Sequence, residues 1–240
     1  MRGLFVAIAF LTRLPVPAKA LDGAPTTSAS LAWYPAVGLL IGGVLWVFTW
    51  VMASAPPLLS AAVLLAVWVA LTGALHLDGL ADSADAWVGG LGDRERTLAI
   101  MKDPRSGPMG VTALLLILLL KFAALASLPP HSAAPWLAPL LGRAALTAAF
   151  TTTPYVRSGG LGSSLAGASR AASVVALSLA GLLCLCDGWR GLRALIVASA
   201  VFACWRVACM RRLNGMTGDT CGALTELMEA VVLVALALDA

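Results

Sequence analysis

The sequence predicts an all-α fold, a polytopic transmembrane bundle of about seven spans plus a short N-terminal interfacial or re-entrant helix. The chain is 60% hydrophobic and 12% charged over 240 residues, where soluble domains carry about 25% charged residues. Mean hydropathy is +0.91. Uncharged runs approaching the roughly 20 residues needed to cross a bilayer recur along the chain. Backbone exposed to lipid must bond to itself, so these runs are helices. Residues 1–240 read as a single membrane-embedded domain. The net charge of +4 fits arginines meeting lipid headgroups and excludes nucleic acid as the natural partner.

Leu4 to Leu14 is short for a span and stops at Pro15 and Pro17, hence the interfacial or re-entrant reading. No small-residue cleavage site follows it cleanly, so a cleaved signal is not expected. Residues 18–30 are small and polar. Leu31–Ala53 spans, Pro56 and Pro57 turn the chain, and Leu58–Leu75 returns. Polar residues then fill 76–110. Val111–Leu128 spans with Lys121 inside it, and 129–135 is a short turn. Trp136–Thr153 spans with Arg143 inside, and a Gly/Ser-rich loop covers 154–170. Ala171–Cys186 and Gly191–Met210 form the next pair, joined by a turn at 187–190. Residues 211–220 are polar, and Cys221–Leu238 is the last span, carrying Glu226 and Glu229.

Threading these spans puts loops 18–30, 76–110, 154–170 and 211–220 on one side. That side holds Lys19, Arg94, Arg96, Lys102, Arg105, Arg157, Arg170, Arg211 and Arg212, so the positive-inside bias makes it cytoplasmic. The five cysteines have no metal-site spacing and read as small apolar packing residues.

The window 76–110 holds six of the twelve carboxylates, Asp78, Asp82, Asp85, Asp93, Glu95 and Asp103. A charge cluster between greasy segments is costly near a bilayer and marks a functional site. Asp78, Asp82 and Asp85, at i, i+4 and i+7, share one face of a helix. Such a face repels itself unless cations neutralise it, and oxygen-only donors suit Mg²⁺ or Mn²⁺. The plainer alternative is a solvated acidic face, but no lysines are interspersed on it. Gly79 permits a close approach of backbone or ligand. Farther on, Asp103 is a candidate to complete the metal set. Lys102 and Arg105 are candidates to hold phosphate, and Gly107 and Gly110 open a helix whose exposed amides favour an anion. A Pro/Gly turn with ordinary loop cations is the alternative.

His76, just before the acids, is a candidate proton acceptor or simply an interfacial histidine. The glycine-rich loop 158–167, with Gly160 at its centre, is a phosphate cradle or a linker. Tyr155 and Arg157, just ahead of it, are placed to stack on or clamp a nucleotide. Thr217 and Asp219 are candidates for metal, ribose or phosphate, and equally for capping the last helix. The intramembrane Glu226 and Glu229 need partners, with Lys121, Arg143 and Arg206 as candidates.

Four blocks, FLTRLPVP (10–17), HLDGLADSADAWVGG (76–90), MKDPRSGPMG (101–110) and GMTGDTCGALTE (215–226), together resemble the cobalamin synthase family in content and order. The departures are small: Pro104 and Pro108 stiffen the third block, and Asn214 stands before a single Gly215 in place of a glycine pair. The resemblance implies a multi-pass enzyme of the cell inner membrane with its active-site loops cytoplasmic. The implied reaction is a late step of vitamin B12 assembly. Adenosylcobinamide-GDP would donate its cobinamide phosphate to α-ribazole or its 5′-phosphate and release GMP with Mg²⁺. On that reading Asp78, Asp82, Asp85 and Asp103 bind metal, and Asp82, Asp85 or His76 serve the proton transfer. Lys102, Arg105, Tyr155, Arg157, Gly160, Thr217 and Asp219 bind substrate. The other partners are the lipid bilayer and, as an open question, a second copy of the chain.

A CDP-alcohol phosphotransferase or a prenyltransferase is the competing enzyme class. In the first, an arginine stands where this chain has Asp82. A small transporter is the non-enzyme alternative, but transporters place charge at the membrane midplane and here it concentrates in one loop.

Overall fold

The computed structural model describes residues 2–18, 26–129, 132–157, 161–165 and 167–238. Among the described residues there are eleven α-helices and no strand. They are α1 (Arg2–Leu11), α2 (Thr26–Ser30), α3 (Tyr34–Val51), α4 (Pro57–Thr72), α5 (Leu75–Gly89), α6 (Arg94–Ile100), α7 (Pro108–Ser127), α8 (Ala134–Thr152), α9 (Arg170–Leu185), α10 (Gly188–Leu213) and α11 (Gly218–Ala237).

The helical membrane bundle is as expected; the count of seven spans is not reproduced. Four stretches are long and apolar enough to cross a bilayer: Thr27–Val51, Pro108–Ser127, Gly188–Leu213 and Gly218–Ala237. The α4–α5 pair makes a fifth only if both helices are taken as one span broken by an 89° bend. Helix α9 is an apolar helix of 16 residues, short of the usual crossing length. Helix α8 is buried along most of its length, from Ala134 to Ala149. Its neighbours are α3, α9 and α11, so it needs small residues for close packing rather than leucines for lipid. On α3, Gly38 and Gly42 supply that closeness: a Cβ on Gly38 would lie 2.4 Å from the Pro139 carbonyl, and one on Gly42 2.5 Å from the Trp136 Cα.

The polar window 76–110 is largely helical. Helix α4 ends at Gly73 (φ 62°) in the left-handed conformation, and Ala74 follows it there (φ 57°). Two successive left-handed residues end one helix and redirect the chain into the next. The segment after α1 braces this elbow, with Arg13 N–H donating to the Leu71 carbonyl at 2.8 Å. Helix α5 then turns away from α4 to run against α7, α11 and α6, and it carries three aspartates that are costly to expose to lipid. Helix α7 begins at Pro108 rather than Val111, and α11 at Gly218 rather than Cys221.

Inside the bundle, α7, α8 and α11 meet through charge. Lys121 donates to Glu226 at 2.6 Å and to Glu229 at 2.5 Å, and Arg143 pairs with Glu229. Lys121 also sits 4.7 Å from the centre of the Trp68 ring. Two cations thus meet two carboxylates, a balance that a buried cluster requires. Lys121 and Arg143 are the partners sought for these glutamates. Arg206 is not; it donates to the Thr152 carbonyl at 2.9 Å. The cysteines are free, as expected, with Cys184, Cys209 and Cys221 buried in packing and Cys186 and Cys204 exposed.

Candidate active site

Helix α5 reaches the first turn of α11 because both are bare where they cross. A Cβ on Gly79 would stand 2.7 Å from the Asp219 carbonyl, and one on Gly222 would stand 3.1 Å from the His76 carbonyl. The close approach expected at Gly79 is therefore to Asp219's own backbone. It brings Asp78 and Asp82 to the N-terminus of α11, a position that favours negative charge. Thr217 caps that helix, its hydroxyl accepting from Thr220 N–H while the Thr220 hydroxyl accepts from Thr217 N–H. Thr217 is fully buried and its hydroxyl faces the Met101 sulfur. Of its two sequence readings the structure shows the cap.

Here residues of α1, α3, α5, α8 and α11, with Tyr155, Arg157 and Gly162, line a cavity of about 470 Å³. One part of its wall is apolar and aromatic, made by Phe10, Tyr34, Leu146, Phe150 and Tyr155. The polar part is made by His76, Asp78, Arg157 and Asp219. Arg157 donates to Asp219 at 2.9 Å. The pair also borders a smaller cavity of about 90 Å³ that Lys102 lines. Asp82 lies on the same acidic side. Burial, followed by the charges of Asp78, Asp219 and Asp85, pushes its carboxyl up to about 6.

The remaining predicted residues divide. Asp85 accepts from Gly107 N–H at 2.6 Å and from Gly110 N–H at 2.9 Å. The start of α7 does bind an anion, as its glycines suggested, but the anion is this chain's own carboxylate. Both glycines are required, since a Cβ on either would lie 2.5 Å from an Asp85 oxygen. Asp103 stands on an exposed loop paired with Arg105 at 2.8 Å, a contact that lowers its carboxyl to about 2. The expected quartet is thus not one cluster: Asp85 and Asp103 each have an internal partner. Among the described residues no three His, Cys, Asp or Glu side chains are arranged to hold a metal ion.

His76 is buried at the cavity wall, and its Nδ1 faces Arg143 Nη2 at 3.4 Å. An arginine only donates, so Nδ1 is the acceptor and the ring's proton sits on Nε2. His76 thus stands at the cavity wall, as a candidate for proton transfer, with one ring nitrogen already facing Arg143. Gly160 lies outside the described residues. Its described neighbour Gly162 packs on the rings of Tyr155 and Phe150, where a Cβ would come within 2.5 Å and 2.9 Å. At Gly162 the bare backbone makes room for the two aromatic rings. Phe10, Tyr34, Leu146 and Phe150 were not singled out from sequence, because each sits within an apolar stretch that reads as ordinary packing.

The chain is similar to known proteins along its whole length. The profile of the family described as cobalamin-5-phosphate synthase matches residues 3–237. An adenosylcobinamide-GDP ribazoletransferase of Stutzerimonas stutzeri (strain A1501) is 56% identical over 244 residues, covering 100% of this chain and 99% of the relative. One from Pseudomonas aeruginosa is 55% identical over 241 residues, covering 99% and 98%, and one from Pseudomonas fluorescens (strain Pf0-1) is 53% identical over 242 residues, covering 99% and 100%. No solved structure matches. The match runs through every element that builds the cavity, from α1 to α11, and on that basis the chain belongs to the cobalamin-5-phosphate synthase family.

Proposed function

We propose that this protein transfers the cobinamide phosphate of adenosylcobinamide-GDP to α-ribazole or its 5′-phosphate, releasing GMP. The observation that carries the reading is the meeting, at one end of the bundle, of Asp78, Asp82 and Asp219 with Arg157 beside a partly aromatic cavity. Transfer between a pyrophosphate and a sugar hydroxyl demands positioning and neutralisation of charge. Arg157 neutralises phosphate on one side, and Lys102 does so across the adjoining notch.

Asp78 and Asp219 are hard oxygen donors on the cavity wall and fit Mg²⁺, which takes one or two protein carboxylates and completes its shell with phosphate and water. The absence of a closed three-residue cage suits that mode. When bound there, Mg²⁺ supplies charge neutralisation for the leaving GMP. The attacking hydroxyl must lose a proton. Asp85 is engaged by two backbone amides and His76 by Arg143, which leaves Asp82 to take that proton on its carboxylate. Burial raises its carboxyl above the ordinary range, which makes it a stronger base than an exposed aspartate. His76 Nε2–H donates toward the substrate.

The site faces the cytoplasm of an inner-membrane protein, because Arg94, Arg96, Lys102, Arg105, Arg157, Arg211 and Arg212 belong to the segments gathered at this end. The test is GMP release by the purified protein in detergent with GDP-cobinamide and ribazole, with and without Mg²⁺. Mg²⁺-dependent release is expected. No release with either acceptor, or turnover of CDP-alcohols in its place, overturns the reading.

A further inference from the structure

We propose that the aromatic end of the cavity holds the base of the acceptor nucleoside, while the corrinoid and guanine of the donor remain outside it. The inference rests on the transfer reaction proposed above and assigns one of its two substrates to a place.

Size is the first argument. A cavity of about 470 Å³ lies in the range that encloses a single drug-sized ligand, roughly 300–1,000 Å³. It admits a nucleoside; a corrin macrocycle with its nucleotide tail exceeds it.

Wall chemistry is the second argument, and it separates the two nucleosides in play. Phe10 stacks on Tyr34 with ring centres 6.2 Å apart, and Phe150 on Tyr155 with centres 5.9 Å apart. Leu146 lies between these elements on α8. The polar side-chain atoms at this end are the two tyrosine hydroxyls and the Cys221 thiol; Tyr34 is bonded to Ser30, Tyr155 to the Gly162 backbone, and Cys221 faces the Met216 sulfur. Guanine carries several donors and acceptors on its edges, and leaving them unmet in such a place carries a desolvation penalty. The benzimidazole base of a ribazole has no N–H donor once glycosylated and presents an apolar edge, so burial there is favourable.

Orientation is the third argument. Tyr155 joins the two parts of the wall, its ring against Phe150 and its neighbour Arg157 bonded to Asp219. A base at the aromatic end directs its ribose toward Asp78 and Asp219, where the phosphoryl group is to arrive.

The experiment is a set of steady-state and binding measurements on the full-length protein in detergent. For Phe150→Ala, KM for ribazole should rise roughly 10- to 100-fold, the range for loss of one base-stacking ring, with KM for GDP-cobinamide unchanged. Phe150→Tyr should restore it. Leu146→Trp, which fills the cavity, should abolish ribazole binding by calorimetry while GDP-cobinamide still binds. If Leu146→Trp does not fold, the Phe150 pair decides. A rise in donor KM instead, or an unchanged ribazole KM in Phe150→Ala, overturns the assignment. Wild-type protein that binds ribazole but never releases GMP would sink the reaction and leave the pocket standing. Wild-type turnover together with a rise in donor KM, and not ribazole KM, in Phe150→Ala would sink the pocket and leave the reaction standing.

Discussion

Asp85→Asn separates a structural carboxylate from a metal ligand. In the native protein both Asp85 oxygens accept backbone N–H groups, from Gly107 at 2.6 Å and Gly110 at 2.9 Å. Asparagine keeps one acceptor and turns an amide N–H₂ against the other donor. One hydrogen bond to a charged group is lost, about 1.5–3 kcal/mol, together with the favourable charge at a helix N-terminus, about 0.3–1 kcal/mol. The sum is about 2–4 kcal/mol. For a chain of this size 1 kcal/mol moves the midpoint by about 2–4 °C, so the expected fall is about 5–15 °C. Thermal unfolding in detergent measures it, and hydrogen exchange at Gly107 and Gly110 should accelerate in step. Below its own midpoint the variant should keep its Mg²⁺ dependence. A variant with an unmoved midpoint and lost Mg²⁺-dependent turnover would return Asp85 to the metal and refute this account.

Asp82→Asn should behave in the opposite way, with kcat down about 10²–10⁴-fold and the midpoint unchanged or higher. The wild-type Asp82 carboxyl titrates near 6 when folded against 3.8 as a free group. Its favourable contribution to stability is therefore complete below about 3.8 and gone above about 6, so removing the charge at pH 7 relieves the fold. Wild-type kcat should decline at acid pH as the Asp82 carboxylate is protonated, at a pH below about 6 because Mg²⁺ on Asp78 and Asp219 neutralises two of the charges that raise it; a variant Asp82→Asn that keeps the wild-type rate and acid limb would remove Asp82 as the base. Glu229→Gln leaves Lys121 and Arg143 with Glu226 alone in a buried cluster, and unfolding measurements should show a loss of about 3–5 kcal/mol. Gly79→Ala places a Cβ 2.7 Å from the Asp219 carbonyl. Helix α5 must back away from α11, and both turnover and ribazole binding should fall even where the protein remains folded.

Composition alone carries the fold class, because a chain this apolar has one way to satisfy its backbone in lipid. It does not carry the span count, since hydropathy measures what lipid would tolerate while α8 is surrounded by protein. The elbow at Gly73 and Ala74 was equally hidden: left-handed glycine is common, but a left-handed alanine is imposed by its surroundings. In the site, the acidic face of α5 is legible from its spacing. The division of labour on it is not. Asp78 and Asp82 differ from Asp85 only through partners far along the chain, and spacing within one helix says nothing of those.

Those distant partners explain why the distinctive blocks of the sequence stand apart yet belong together. The block 76–90 gives Gly79 to Asp219 and Asp85 to Gly107 and Gly110. The block 101–110 returns Met101 to the Thr217 hydroxyl. Arg94 Nε donates to the Leu213 carbonyl at 2.8 Å and Arg212 to the Trp87 carbonyl. Tyr155 bridges Met216, with Val156 N–H donating to the Met216 carbonyl at 2.9 Å and Met216 N–H to that of Pro154 at 2.8 Å. Gly79, Asp85 and Met101 thus have their partners in another block. Residues that line the cavity and residues that hold its segments in place occupy the same short motifs, so spacing alone does not divide an acidic motif between the two. Here Asp85 ties the start of α7 to α5, and Asp103 is paired with Arg105 on its own loop.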